Sequence, residues 1–264
     1  MRLKKSLGQH FLHREDIAER IANSLIHEDK YNLIVEVGPG SGMMTKYLIE
    51  RKQNLIAIEA DRDLIMPLSM TFPMLNVLHK DFLKVKLDEV TTGQFGLIGN
   101  YPYNISSQIL FKMLENRQLV PEMVGMFQKE VALRIIAPPG NKVYGVISVL
   151  IQAYYSGEYL FTVDKGAFKP PPKVQSGVIR LVRRDIEDIP CEYSLFKRVV
   201  KTTFGQRRKM LRNTMKQFIN DPEVLNEEFF QQRPERLSVQ DFIDLTIRVE
   251  GFNKAEEEKE KGEE

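Results

Sequence analysis

The sequence predicts an α/β protein in which a doubly wound parallel sheet is followed by a small helical domain. Apolar strand patterns alternate with helical patterns along the first part of the chain, and this alternation is typical of parallel sheets covered by helices. The glycine-rich and polar groups follow directly after strands, where such sheets bind ligands. From about Glu187 onward, helical spacing with many basic residues replaces the strand patterns.

Strands and helices are expected to alternate in the following order. A helical pattern at 14–27 precedes an apolar run that begins at Asn32 and is typical of a buried strand leading into a glycine-rich turn. Further strands are expected at 54–61, 74–82, 95–104 and 122–128. The intervening helices are expected at 43–52, at 62–72 with an interruption at Pro67, and at 106–118.

Three segments follow from the change of pattern. We expect a ligand-binding α/β domain at 1–186, a helical domain at 187–252 and an acidic tail at 253–264. The tail carries six Glu against three Lys and no large apolar residue, and such a composition predicts disorder. Without the tail the folded part is distinctly more basic than the net charge of +2 indicates, which suits a polyanionic partner.

Composition excludes several classes of protein. Cys191 is the one cysteine among 264 residues, so it can form neither an internal disulfide nor a zinc site with companions. No run is long and apolar enough to span a bilayer, and the basic start lacks the apolar core of an export signal. The four histidines are not spaced as metal ligands. We therefore expect a cytoplasmic protein that uses no metal.

The glycine-rich turn Gly38-Pro39-Gly40-Ser41-Gly42 lies between the first strand and a helix. Glycines at such a turn allow a ligand to approach backbone N–H groups closely, although a purely structural turn has the same pattern. The third glycine comes one residue too early for the dinucleotide-binding fingerprint. A ligand with an amino-acid end, held by backbone groups, fits this turn at least as well as a pyrophosphate.

Two acidic residues end the next two strands. Glu59 stands about twenty residues after the first glycine, where a carboxylate can accept hydrogen bonds from both hydroxyls of a ribose. Asp81 can accept a hydrogen bond from the amino group of an adenine. Each alone is also typical of a solvated acid at a strand end. Together with the glycine turn they predict a binding strip for an adenosine.

The run Asn100-Tyr101-Pro102-Tyr103 follows the fourth strand, whose glycines are expected to leave room beside the ligand. The exocyclic amine of adenine is a poor nucleophile because its lone pair is delocalised into the ring. The side-chain oxygen of Asn100 and a neighbouring backbone carbonyl, held in place by Pro102, can draw that lone pair out of conjugation. Tyr103 offers a flat face for an extruded base. An Asn-Pro turn with aromatic core residues is the structural alternative.

These residues resemble the motifs of the ribosomal RNA adenine dimethylase family, and most closely those of its small-subunit branch. The resemblance spans nearly the whole chain. The matching segments are Gln9-His10-Phe11-Leu12, the glycine turn, Glu59, Asp81-Phe82, Asn100 to Ser106, and Phe168 to Ser176. Two positions depart from the family pattern: His10 stands where Asn is usual, and Tyr101 stands where Leu is usual. The family uses the backbone carbonyl at the position of Tyr101, so that change is expected to be tolerated.

The resemblance implies a Rossmann-like class I methyltransferase domain that binds S-adenosyl-L-methionine. The methionine and ribose of the cofactor are expected along Gly38 and Glu59 and its adenine at Asp81, with His10 and Leu12 closing over it. Asn100 is expected beside both the cofactor and the substrate. The resemblance also places Phe168 against the target base, opposite Tyr103. From the residues alone, Phe168 is equally typical of a loop anchor between proline turns.

Two basic regions predict contacts with RNA. Lys4 and Lys5 belong to a basic N-terminal arm, and the run 197–216 holds eight basic residues and no acid. Phosphates are neutralised by such side chains, whereas Phe204 and Met210 are expected to pack inward. A solvated helix face is the alternative for such a run. The residues predicted to bind RNA are Lys4, Lys5, Arg207, Arg208, Lys209 and Arg212.

The resemblance implies the function as well. It predicts dimethylation of N6 on two adjacent adenines in a terminal hairpin loop of small-subunit ribosomal RNA. We expect the partner to be that RNA within an assembling 30S subunit, and nothing in the sequence suggests more than a monomer. Three alternatives stay open at this stage. They are a non-catalytic assembly factor that binds immature small subunits, a large-subunit RNA methyltransferase that confers resistance, and a DNA adenine methyltransferase.

Overall fold

The computed structural model describes residues 9–186 and 188–262, and side chains up to Ala255. This part of the chain divides into two compact units. The first contains residues 9–133 and 155–184, and the second contains residues 134–154 and 185–262. The sequence predicts a single boundary after residue 186, so the two divisions differ in the segment 134–154.

A seven-stranded mixed sheet forms the centre of the first unit, and a two-stranded ribbon accompanies it. The strands are β1 (Phe11–Leu12), β2 (Leu33–Val37), β3 (Asn54–Glu59), β4 (Asn76–His79), β5 (Phe95–Asn100), β6 (Glu122–Gln128), β7 (Tyr155–Val163), β8 (Phe168–Lys169) and β9 (Ser176–Arg183). The order in the sheet is β4-β3-β2-β5-β6-β9-β7, and β1 pairs with β8 in the ribbon.

The five strands predicted from the sequence are the five parallel ones, β2 to β6. Their central members carry apolar side chains on both faces, as expected of a sheet covered on both sides. Two further strands, β9 and β7, extend the sheet with antiparallel pairing and were not predicted. The connection between β7 and β9 contains no α-helix, which suits this pairing because antiparallel neighbours need no crossover helix.

The strand order reverses between β2 and β5, since β3 and β4 lie on one side of β2 while β5 and β6 lie on the other. Ligands bind in open sheets of this kind beside the carboxyl ends of the strands at the reversal. The glycine turn follows β2, and the Asn100 turn follows β5. The topology therefore brings these two turns together at one edge of the sheet.

The glycines of β5 accommodate tyrosine rings and leave no room for a ligand, so the sequence-based expectation about them is wrong. A Cβ on Gly99 would lie 2.6 Å from the ring of Tyr101, and one on Gly125 in β6 would lie 2.3 Å from the same ring. A Cβ on Gly96 would meet Tyr31 at 2.6 Å. The Tyr101 ring is 1 % exposed and packs against Phe127. The side chain that replaces the usual Leu therefore occupies the core.

Helices of the first unit flank the sheet. They are α1 (Glu15–Ala22), α2 (Thr45–Leu48), α3 (Arg62–Thr71), α4 (Ser106–Glu115) and α5 (Lys129–Ile135), whose last residues belong to the second unit. Asp61 caps α3 by accepting a hydrogen bond from the Asp63 amide at 3.1 Å. The sequence predicts an interruption at Pro67, but α3 continues through this residue to Thr71. A proline removes one N–H donor from the hydrogen bonds of a helix, and α3 continues despite this loss.

The second unit is helical. Its helices are α6 (Val146–Gln152), α7 (Tyr193–Gly205), α8 (Leu211–Thr214), α9 (Pro222–Asn226) and α10 (Val239–Gly262). The segment 134–154 belongs to this unit because α6 is almost wholly apolar and Tyr144 is completely buried. The Tyr144 ring lies 5.9 Å from that of Phe204, which lies 5.6 Å from that of Phe242.

The sequence predicts that the acidic segment at 253–264 is disordered. In the structure this segment instead begins as a helix, since α10 continues through Gly262. Ala, Glu and Lys have high helix propensities, so a polar composition here is compatible with a helix. The last two residues lie outside the described part of the chain. Every helix within that part is too short or too polar to cross a lipid bilayer.

Candidate active site

A cleft of about 230 Å³ opens at the carboxyl edge of the sheet, where the strand order reverses. The segments that line it are 9–12, 37–41, 43–44, 58–60, 80–83 and 100–105, together with Leu64. All six residues predicted to contact the cofactor line this cleft. They are His10, Leu12, Gly38, Glu59, Asp81 and Asn100.

The glycine turn has a backbone conformation that other residues rarely adopt. Gly38, Gly40 and Gly42 have φ angles of 67°, 62° and 82°. A Cβ on Gly38 would meet no protein atom within 4 Å, so a side chain there would project into open space beside the turn. A Cβ on Gly40 would lie 3.1 Å from the ring of Phe11. The turn therefore keeps its backbone accessible to a ligand on one side.

Glu59 lies at the end of β3 and is 6 % exposed. Its two carboxylate oxygens accept hydrogen bonds from the backbone amides of Gly40, at 3.2 Å, and Asp61, at 2.8 Å. Burial raises the pKa of this carboxyl, and the two amide donors oppose that shift. A carboxylate oxygen can accept more than one hydrogen bond, so both oxygens of Glu59 can also accept hydrogen bonds from ribose hydroxyls.

Asp81 comes two residues after β4, and hydrogen bonds from Lys112 hold the loop that begins at Asp81. Its Oδ1 accepts a hydrogen bond from the Leu83 amide at 3.0 Å. The Lys112 ammonium of α4 donates to the carbonyl of Leu83 at 2.9 Å and also to that of Val85. Burial lowers the pKa of Lys112, while the charge of Asp81 opposes this. No signal in the sequence singled out Lys112.

The Asn100 side chain has a defined orientation. Its Nδ2 donates to the backbone carbonyl of His10 at 3.0 Å. Since a carbonyl oxygen can only accept, the amide nitrogen must face His10, and Oδ1 remains as an acceptor. Among the described residues, no donor to Asn100 Oδ1 is present. This is the arrangement required for an acceptor aimed at an adenine amine.

The backbone of the turn leaves one carbonyl available next to Asn100. The carbonyl of Pro102 accepts from the Ile105 amide at 3.1 Å, and that of Tyr103 accepts from the Ser106 hydroxyl at 3.1 Å. The Tyr101 amide donates to the Met126 carbonyl at 3.2 Å, which fixes the peptide. The carbonyl of Tyr101 therefore suits the predicted role of second acceptor.

Tyr103 is tied to β9 by a hydrogen bond that the sequence did not reveal. Its hydroxyl lies 2.6 Å from the Ser176 hydroxyl, which is completely buried. Burial raises the pKa of Tyr103. The His10 ring lies 5.5 Å from the Tyr103 ring at 32°, and His10 Nδ1 lies 2.8 Å from the Pro170 carbonyl oxygen. The half-buried Tyr103 ring is thereby held at the cleft.

Phe168 does not line the cleft. The resemblance places it against the target base, whereas the structure buries it to 2 % exposure in the apolar cluster that also contains Leu12. Leu12 and Phe168 are register partners in the β1–β8 ribbon. The pairing of the ribbon places the phenyl ring in the apolar core beside Leu12. The structure therefore supports the alternative, in which Phe168 anchors the loop between the proline turns. Phe11, to which the sequence assigned no role, lines the cleft instead.

A second carboxylate lies beneath the glycine turn. Glu36 of β2 is completely buried and accepts a hydrogen bond from the Thr45 hydroxyl at 2.7 Å. Its other oxygen has no hydrogen-bond partner among the described residues. Burial raises the pKa of Glu36 to about 7, opposed by the Thr45 donor.

The model of the ribosomal RNA adenine dimethylase family matches residues 1–245. The chain belongs to this family. Ribosomal RNA small subunit methyltransferase A from Bacteroides fragilis is 49% identical over 94% of this chain and 92% of its own length. The enzyme of the same name from Porphyromonas gingivalis is 48% identical over 95% of this chain and 98% of its own. The dimethylase is thus an S-adenosylmethionine-dependent methyltransferase of ribosomal RNA adenine.

Solved structures confirm the predicted fold class of the dimethylase. A dimethyladenosine transferase from Plasmodium falciparum superposes with a TM-score of 0.80 at 22% identity, over 92% of this chain and 98% of that one. The 23S rRNA methyltransferase ErmE superposes with a TM-score of 0.65 at 22% identity, over 89% and 98%. The fold is therefore Rossmann-like with C-terminal helices.

The cleft of the dimethylase fits S-adenosylmethionine. Gly38 leaves open space where any Cβ would project, and the buried Glu59 presents a carboxylate at the neighbouring strand end. Asp81 and Phe82 offer a hydrogen-bond acceptor and an apolar surface for an adenine. Among residues 9–186 and 188–262, no group of three or more histidine, cysteine or carboxylate side chains is placed to hold a metal ion.

The predicted RNA-binding residues of the second unit differ in their surroundings. Arg208, Lys209 and Arg212 are exposed. Arg207 instead donates to the Asn141 carbonyl at 3.2 Å and lies 3.8 Å from Glu235. The basic run contains no acid, but the chain supplies one from a distant position. Lys4 and Lys5 lie outside the described residues.

The apolar residues of the same run also separate. Phe204 packs between aromatic rings, as expected, whereas Met210 is 37% exposed and does not pack inward.

Proposed function

We propose that this protein transfers methyl groups from S-adenosylmethionine to N6 of two adjacent adenines in the 3′-terminal hairpin loop of 16S ribosomal RNA, giving N6,N6-dimethyladenines. The observation that carries the proposal is an intact Asn-x-Pro-Tyr turn, with its amide oriented by His10, in a chain 49% identical to a small-subunit methyltransferase. The substrate is the RNA of an assembling 30S subunit in the cytoplasm, and the protein acts as a monomer.

Asn100 Oδ1 and the Tyr101 carbonyl accept the two N–H groups of the adenine amine. Two acceptors in this position localise the nitrogen lone pair and aim it at the methyl donor. The hydrogen bond from Asn100 Nδ2 to His10 fixes the amide before the substrate arrives, so no reorganisation is needed during the reaction. The proton released on alkylation passes to water.

The cofactor supplies an activated methyl group on its sulfonium. Glu59 accepts hydrogen bonds from the ribose hydroxyls of the cofactor, and Asp81 accepts one from its adenine amine. The glycine turn lies against the methionine end of the cofactor. His10 and Leu12 cover the cleft from the N-terminal segment, which the β1–β8 pairing holds in place. Catalysis is then mainly alignment of the nitrogen, the methyl carbon and the sulfur.

Tyr103 stacks on the extruded adenine and keeps it in the cleft. Phe168 contributes by anchoring Leu12 through the ribbon, in place of direct stacking on the base. Exposed cations of the second unit, Arg208, Lys209 and Arg212, bind phosphates of the ribosomal RNA.

The test is methyl transfer from labelled S-adenosylmethionine to unmethylated small subunits, with large subunits and duplex DNA in parallel. We expect label as N6,N6-dimethyladenine in small-subunit RNA alone. Label in large-subunit RNA would assign the chain to the resistance branch, and label in DNA would assign it to the DNA enzymes. Binding to small subunits without any transfer would leave a non-catalytic assembly factor.

A further inference from the structure

A second concavity lies in the first unit. It is bounded by the start of α5, the loop that follows β7 and the loop that precedes β9. Lys129, Lys165 and Lys173 line this groove. Leu133 and Val174, which are 41% and 43% exposed, also line it. Cations next to exposed aliphatic side chains are the combination that a nucleic acid strand requires, since phosphates and sugars alternate along it.

Internal hydrogen bonds order the floor of this groove and leave its outer lysines unpaired. Gln175 donates through Nε2 to Asp164 at 2.6 Å and accepts through Oε1 from the Lys129 ammonium at 3.1 Å. Asp164 thus accepts a hydrogen bond within the lining, which contains one other acidic residue, Glu130. Lys165 and Lys173 are exposed, and neither has an ion-pair partner within the described part of the chain. Their charges are available to a ligand.

The lining of the groove is joined through adjacent residues to the ring proposed to receive the target base. Gln175 precedes Ser176, whose hydroxyl lies 2.6 Å from the Tyr103 hydroxyl. The Lys129 amide donates to the Gln175 carbonyl at 2.9 Å, extending the β6–β9 pairing of Gln128 with Ser176. The residues at the start of β9 therefore contact both the groove and the Tyr103 ring.

We propose that this groove binds the single-stranded RNA that flanks the target adenines, with Lys165 and Lys173 on its phosphates and Leu133 and Val174 against its sugars. The proposal rests on the proposed function and names the path of that substrate. Single-stranded RNA fits better than a helix because the target base must be unstacked to reach Tyr103. Contacts to phosphates position the strand without reading its sequence.

The test uses the full chain with the double variant Lys165→Glu/Lys173→Glu. The matched control is Lys30→Glu/Lys52→Glu, which makes the same charge change at two exposed lysines near the amino ends of β2 and β3, at the opposite edge of the sheet. The readouts are binding of protein-free 16S RNA and of 30S subunits against salt concentration, KM and kcat for 30S subunits, and calorimetric binding of S-adenosylmethionine.

We expect the groove variant to bind both RNA and subunits on the order of tenfold more weakly than the control, with a correspondingly higher KM. The slope of log affinity against log salt should fall by about 1.4, or 0.7 for each of two lost phosphate contacts on a single strand. Cofactor binding should match the control. Equal salt slopes and equal KM in the two variants would overturn the proposal, as would weaker binding to subunits but not to RNA, which would indicate a protein partner. Failure of the proposed function is distinct, because the wild-type protein would then transfer no methyl group to small-subunit RNA.

Discussion

Asn100 Nδ2 donates a hydrogen bond to the backbone carbonyl of His10, and this single contact orients the amide in the catalytic turn. It also joins the N-terminal segment, which covers the cleft, to the end of β5. Closure of the cleft and readiness of the acceptor are therefore coupled through one side chain. The position of the unusual His10 matters here only through its backbone, so this contact tolerates a change of side chain.

Replacement of Asn100 by Asp or Ala is expected to lower kcat by about 10²–10³-fold, because each removes a preorganised group that acts in the transition state. Asp retains an oxygen acceptor but loses the donor to His10, and its carboxylate would face that carbonyl. Single-turnover methyl transfer measures the effect, with Asn54→Ala, an exposed residue at the start of β3, as the control. An Asp variant with wild-type rates would show that orientation by His10 has no part in catalysis.

Tyr103→Phe and Tyr103→Ala are expected to differ. The Phe variant keeps the ring for stacking and loses the hydroxyl contact with the buried Ser176, at a cost of about 1 kcal/mol in stability. The Ala variant also loses base stacking, which contributes about 1–3 kcal/mol, so its KM for subunits should rise by roughly tenfold or more. Steady-state kinetics and thermal unfolding of both variants provide the measurement. Equal KM values for the two would exclude stacking by this ring.

Lys112→Met should weaken cofactor binding without changing kcat at saturating cofactor. The ammonium supports the loop after Asp81 through the carbonyls of Leu83 and Val85, and charged hydrogen bonds of this kind contribute about 1.5–3 kcal/mol each. Titration calorimetry should give a Kd for S-adenosylmethionine about tenfold higher, with Lys52→Met as an exposed control. A lower kcat with an unchanged Kd would show that Lys112 acts on the catalytic turn through α4, and not on the cofactor through the loop after Asp81.

Local patterns predicted much of the fold and the cleft. The parallel strands β2 to β6 follow from apolar runs, and the glycine turn, Glu59 and Asp81 follow from their places at strand ends. The antiparallel strands β7 and β9 were missed because their pairing is decided by partners distant in the sequence.

The sequence was least informative where one side chain depends on a remote one. Phe168 is buried because β8 pairs with β1, and Arg207 is engaged because the chain brings Asn141 and Glu235 to it. The fit of the Tyr101 ring over two glycines of adjacent strands likewise requires the register of β5 and β6. Spacing along one segment contains none of this information.

Gly125→Ala is expected to destabilise the protein by about 1–3 kcal/mol through overpacking. The added methyl would lie 2.3 Å from the Tyr101 ring and 2.7 Å from that of Phe127. Tyr101→Leu, which restores the residue usual in the family, should relieve part of this cost because Leu is smaller. Denaturant unfolding of the two single variants and the double variant forms the cycle. Strict additivity would mean that Tyr101 does not occupy the space above Gly125.

Glu36 should make the stability of the protein depend on pH near neutrality. Its pKa is about 7 in the folded protein against an ordinary value of 4.5, so the folded state holds a proton that the unfolded state has released between these values. The free energy of unfolding should therefore fall as pH rises from about 4.5 to 7 and level off above, by on the order of 2–3 kcal/mol. Glu36→Gln keeps an acceptor for Thr45 and cannot ionise, so this decline should be absent from the variant. Denaturant unfolding at pH 5, 6, 7 and 8 with both proteins decides the matter, because parallel stability curves would place the ionised carboxylate in the folded state throughout.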